Sequence, residues 1–124
     1  MSSELELRHR TEQLAQQLHD QALDLVANGD PAAAGKFREA LALDPNLDEA
    51  MHGLVRALQD AGDYEQAIAA ALSLIDRDPD DPLAHTSLSI LYQHQGMISD
   101  AEAEALKAKL LGWKIELRES RSSE

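Results

Sequence analysis

The chain has 124 residues, with 11 Lys and Arg against 23 Asp and Glu, a formal net charge of −12, and only 3% aromatic residues beside 44% hydrophobic ones. That is one domain's length, rich enough in aliphatic residues to bury a core but poor in the rings that fill sheets or stack on bases, so an all-helical chain is expected. No cysteine is present, which excludes disulfides, thiolate nucleophiles and Cys-ligated zinc.

The first predicted helix spans 3–28, opening at Ser3-xx-Glu6 and ending at Gly29. Asp30-Pro31 opens the second, 31–43, with Pro at the first helical position, where its missing N–H costs nothing. Asp44-Pro45 stops it. Asn46 then caps a third helix, 47–61, where Glu49 sits three residues on and can bond back, and Leu54 and Leu58 give the apolar face. Gly62 supplies a left-handed helix end and Asp63 caps the next helix, 64–77, with Ile68, Leu72 and Ile75 on one face. Asp78-Pro79 stops that helix. Asp81-Pro82 opens a fifth, 81–95, and Ser99-xx-Glu102 reads as a capping box for a sixth, 99–118.

Sliding the chain against itself by 34 residues superimposes Asp44-Pro45 on Asp78-Pro79, Gly62 on Gly96, and Ala33 on Ala67 and Ala101. Gly29 lies 33 before Gly62, so the first unit is one residue shorter. A fixed period of this length marks stacked helix–turn–helix units, and two helices cross closely only where one offers small side chains, as these alanines do.

The pattern resembles the tetratricopeptide repeat. The middle unit carries it best, through Leu54, Leu58, Gly62, Asp63, Tyr64, Ala67, Ala71, Leu74, Asp78 and Pro79. The third follows through His85, Leu88, Tyr92, Gly96, Ala101 and Ala108, and the first, with Gln21 where Leu is usual, through Leu18, Ala22, Leu25, Phe37 and Ala40. The resemblance implies an all-α, right-handed α-solenoid of three stacked repeats at 14–46, 47–80 and 81–111. These are preceded by a helical extension over 1–13 and followed by a helix end and disordered tail over 112–124, with order lost after about Glu119.

Function classes narrow by exclusion. Residues 11–106 hold 4 basic and 18 acidic side chains, a net of −14, so nucleic acid and anionic membrane are poor partners. With no basic start, no leading apolar stretch and no run of ~20 apolar residues, a cytoplasmic chain is expected. No nucleophile elbow, phosphate loop or carboxylate pair can be built, so no enzyme activity and no cofactor are expected. Of the five histidines, His19 and His52 occupy matching places, but no third ligand joins them and no metal is expected. His85 reads as core filling.

The resemblance implies a non-catalytic protein-interaction module, binding a peptide or helix of a partner protein. By the family's geometry the first helix of each pair lines a concave groove, which assigns His19, Leu23, Glu49, His52, Arg56, Gln59, Leu83, Thr86, Ile90 and Gln93 to the ligand face. The family's capture of a peptide's terminal carboxylate by Lys, Arg and Asn is argued against, because His19, Leu23, Gly53, Leu83 and Ser87 stand at those places. Leu106, Leu110, Trp113 and Leu117, spaced i, i+4, i+7 and i+11, form a stripe for a homodimer or a partner helix. Self-association through the terminal helices is the alternative function.

Overall fold

The computed structural model describes residues 2–122. Among them the regular structure is six α-helices: α1 Ser2–Ala27, α2 Ala33–Leu43, α3 Asp48–Asp60, α4 Tyr64–Arg77, α5 Pro82–His94 and α6 Ile98–Ser122. Each expected helix is present; α4 has the expected bounds, and the other helices differ by at most four residues at an end. The chain divides into two compact units, Met1–Asp63 and Tyr64–Glu124, so the division falls inside the expected second repeat.

The turns explain the spacing. Gly29, Gly62 and Gly96 have φ of 66°, 78° and 74°, and each ends a helix in the same way. The N–H of Asp30, Asp63 and Met97 reaches back five residues to Leu25, Leu58 and Tyr92 at 2.8–2.9 Å, while the glycine N–H donates to Val26, Gln59 and Gln93 at 3.0 Å. Those are the paired bonds of the left-handed helix end, open to glycine because it lacks a Cβ.

All four prolines follow an aspartate, and each aspartate closes a small ring. The side chains of Asp30, Asp44, Asp78 and Asp81 accept the N–H two residues on, from Ala32, Asn46, Asp80 and Leu83, at 2.9–3.2 Å. The acidic runs are therefore turn chemistry. Two expected caps fall elsewhere. Leu47, not Asn46, holds the N-cap position of α3 with no side-chain cap bond, because Asp44 already organises that turn. Ser99 lies inside α6, which begins at Ile98, and does not precede it.

In unit 1, α1 packs on α2 and α2 on α3 around the fully buried Phe37. The Phe37 ring lies on Gly53, where any Cβ would collide with it. In unit 2, α5 packs on α4 and α6 around Leu74, Leu88 and Leu91. Ala33, Ala67 and Ala101 are all buried, as close helix crossings require. The buried face of α4 is Ala67, Ala71 and Leu74; Leu72 is exposed, so the expected Ile68-Leu72-Ile75 face is rotated from the core. At the C-terminus α6 remains helical through Ser122, past the expected end near Glu119, while residues 123–124 of the expected tail lie outside the described residues. Residues 3–10 of α1 are exposed throughout.

Candidate functional site

The residues expected on a ligand face stand on α1, α3 and α5. On α3, Glu49, His52, Arg56 and Gln59 share one side at i, i+3, i+7 and i+10; Glu49 and Arg56 are exposed, His52 and Gln59 half-buried. The Arg56 Nε donates to Asp60 Oδ1 one turn along the helix at 3.1 Å, and the side chain remains exposed. On α1, Leu23 is exposed. In unit 2, α5 repeats the pattern with Leu83, Thr86, Ile90 and Gln93, all exposed. The Thr86 hydroxyl donates back to the Pro82 carbonyl at 3.0 Å, which leaves its oxygen as an acceptor for a ligand.

His19 is the correction. It is 6% exposed, with its ring 5.7 Å from that of Phe37 and tilted by 58°, and Nδ1 near the Gln16 amide at 3.3 Å. A large aromatic on α2 draws the imidazole inward, so His19 is a core residue and leaves the ligand face. Among the described residues no three His, Asp or Glu side chains converge as metal ligands.

His85 is buried as expected but does more than fill space. Nε2 donates to the Pro79 carbonyl at 2.8 Å, Nδ1 lies 2.6 Å from Glu104 Oε2, and Glu104 Oε1 accepts from Lys107 at 3.2 Å. This chain ties the α4–α5 turn, α5 and α6 together. Burial pushes the Glu104 carboxyl up, but hydrogen bonds from His85 and Lys107, with their charges, outweigh it and hold the group below its ordinary value. Beside it, burial and the Glu104 and Asp100 carboxylates raise the Tyr92 hydroxyl above its ordinary value. Ser89 adds a second tie, its buried hydroxyl donating to the Ala101 carbonyl at 2.7 Å. Nothing local in the sequence links residues 85 and 104. Nor does the sequence single out Gly53, since Gly35 and Gly112 also lie inside helices and a Cβ at either would meet nothing within 4 Å.

The α6 stripe lies open. Leu106, Leu110, Trp113 and Leu117 are 56%, 51%, 50% and 64% exposed, and Lys109 Nζ sits 5.1 Å above the Trp113 ring. Leu110 also borders an apolar notch of about 400 Å³ with Pro79, His85, Lys107 and Leu111. No helix among the described residues is long and apolar enough to cross a membrane.

Comparison with known proteins bears on the fold. The translocator chaperone SycD of Yersinia enterocolitica type III secretion, in an alternative dimer, is 22% identical with a TM-score of 0.76, over 88% of this chain and 84% of that one. The second tetratricopeptide domain of Spaghetti (RPAP3), bound to an HSP90 peptide SRMEEVD, is 17% identical with a TM-score of 0.79, over 89% and 96%. The tetratricopeptide domain of Arabidopsis FLU is 22% identical with a TM-score of 0.69, over 86% and 98%. No curated protein sequence matches. The family model described as tetratricopeptide repeat matches residues 13–91, well over half of the sequence, and the chain belongs to that family.

Proposed function

We propose that this protein is a non-catalytic interaction module that holds a peptide or helix of a partner protein against the ligand faces of its first helices. One observation carries the reading. Leu23, Leu83 and Ile90 are 47%, 54% and 38% exposed; Leu23 belongs to the unit that carries Glu49 and Arg56, and Leu83 and Ile90 share α5 with Gln93, polar side chains that can direct hydrogen-bonding groups. Isolated apolar anchors among hydrogen-bonding residues suit an extended segment or one face of an amphipathic helix.

The peptide-bound RPAP3 domain supports the class of function but not its particular ligand. SRMEEVD is acidic, and this chain carries a net charge of −12 and no Lys, Arg or Asn at the places where the family grips a terminal carboxylate. The favoured ligand is apolar or basic. Selection of peptides from a displayed random library, followed by calorimetric titration, tests this. Selected peptides should bind wild type and lose at least tenfold in affinity to Leu83→Ala/Ile90→Ala, while Leu110→Lys on α6 binds normally. Equal binding to the double variant overturns the assignment of the face.

A further inference from the structure

α6 has two apolar faces. Its buried and half-buried residues, Ala101, Glu104, Ala108, Leu111, Gly112 and Ile115, lie on the side packed against α5. At 100° per residue, Leu106, Leu110, Trp113 and Leu117 point the opposite way. Their spacing is that of alternating d and a positions in a heptad, and it extends through Ala103 to Ser99 on one side and to Ser120 on the other, all exposed. A second helix can approach this seam from the side away from α5.

We infer that α6 is a dimerisation helix, which pairs in parallel and in register with α6 of a second copy of this chain. The flanking charges fix both partner and direction. In this frame the g positions are Glu102, Lys109 and Glu116 and the e positions are Lys107, Lys114 and Arg121. A parallel pair sets each g residue beside the partner's e residue five places on. Glu102 then meets Lys107 and Glu116 meets Arg121, each twice through the two-fold axis.

Lys109 against Lys114 is the one unfavourable contact, and it is moderated from both sides. Lys109 holds its ammonium over Trp113, and Lys114 shares a notch with Asp78 and Asp80. An antiparallel pair sets e against e and g against g. Lys107 would then face Lys114 twice, with only Lys109 and Glu116 in compensation. The seam is thus self-complementary in one orientation. This inference does not depend on the ligand-face assignment, since α6 contributes nothing to that face.

The absence of cysteine makes the test direct. In a parallel pair identical a positions meet, so Leu110→Cys and Leu117→Cys should each, alone, oxidise to a cross-linked dimer. Cross-linking seen only when Leu106→Cys and Leu117→Cys are mixed would mean an antiparallel pair and overturn the inference. Wild type should sediment at twice the chain mass at a few hundred micromolar, and Leu110→Lys/Leu117→Lys as a monomer of unchanged helicity. Glu116→Lys should weaken the dimer roughly tenfold, and adding Arg121→Glu should restore it. A wild type that stays monomeric at those concentrations overturns the proposal outright.

Discussion

The two units solve the same packing problem with different chemistry. Unit 1 joins its helices through a ring: Phe37 fills the gap left by Gly53 and meets the buried ring of His19. Unit 2 joins α5 to α6 with polar ties inside an aliphatic core, His85 to Glu104 and Ser89 to the Ala101 carbonyl. The turns, by contrast, are identical in kind. The period therefore specifies where helices start and stop, and each unit is free to hold its helices by shape or by hydrogen bonds.

The largest effect should come from the aromatic crossing. Phe37→Ala removes a fully buried ring whose neighbour has no side chain to move inward, so the space stays empty. A loss of about 3–5 kcal/mol is expected. Urea titration gives the size, and hydrogen exchange should show the protection of α1–α3 falling first. A loss under about 1 kcal/mol, several times smaller than a cavity of this kind implies, would show that unit 1 does not depend on this ring.

Next comes the polar tie. Glu104→Ala leaves His85 Nδ1 buried without its carboxylate, at a cost of about 1.5–3 kcal/mol. Because the Glu104 carboxyl is held below its ordinary value of 4.5 in the folded chain, its contribution is complete above that value and is lost as pH falls through the lower, folded one. Wild type and Phe37→Ala should share the same steepening loss of stability on acidification. Glu104→Gln should lack that component. Parallel acid profiles for all three would mean the carboxylate is not preferentially bound in its charged form.

These partners show what the sequence makes legible. Helix ends were readable because each depends on one or two adjacent residues: a glycine able to take positive φ, or an aspartate reaching two positions along. The open stripe on α6 was readable from helical spacing, and the exposed Leu23, Leu83 and Ile90 from the resemblance to the repeat family. What failed depends on neighbours distant in sequence. His19 matches His52 by offset, yet only Phe37 on the next helix decides that the first is buried. Leu72 reads as core by hydropathy, but the buried line of α4 runs through its alanines, because close crossing rewards small residues over large ones.

The smallest effect is also the cleanest contrast, since one substitution should change sign between the units. Gly53 and Gly112 both lie inside helices, and neither takes positive φ, so replacing either with alanine relieves the same backbone entropy, worth about 0.5–1 kcal/mol. At Gly112 nothing lies within 4 Å of the added methyl group, so Gly112→Ala should stabilise by that amount. At Gly53 the methyl group meets the Phe37 ring, which is locked in the core and cannot yield freely. Overpacking of ~1–3 kcal/mol should outweigh the entropy gain and leave a net loss of about 1 kcal/mol. Gly53→Ala in a Phe37→Leu background separates the two contributions. With the ring gone the alanine should recover much of its gain, whereas a loss that persists would place the constraint in the α3 backbone itself.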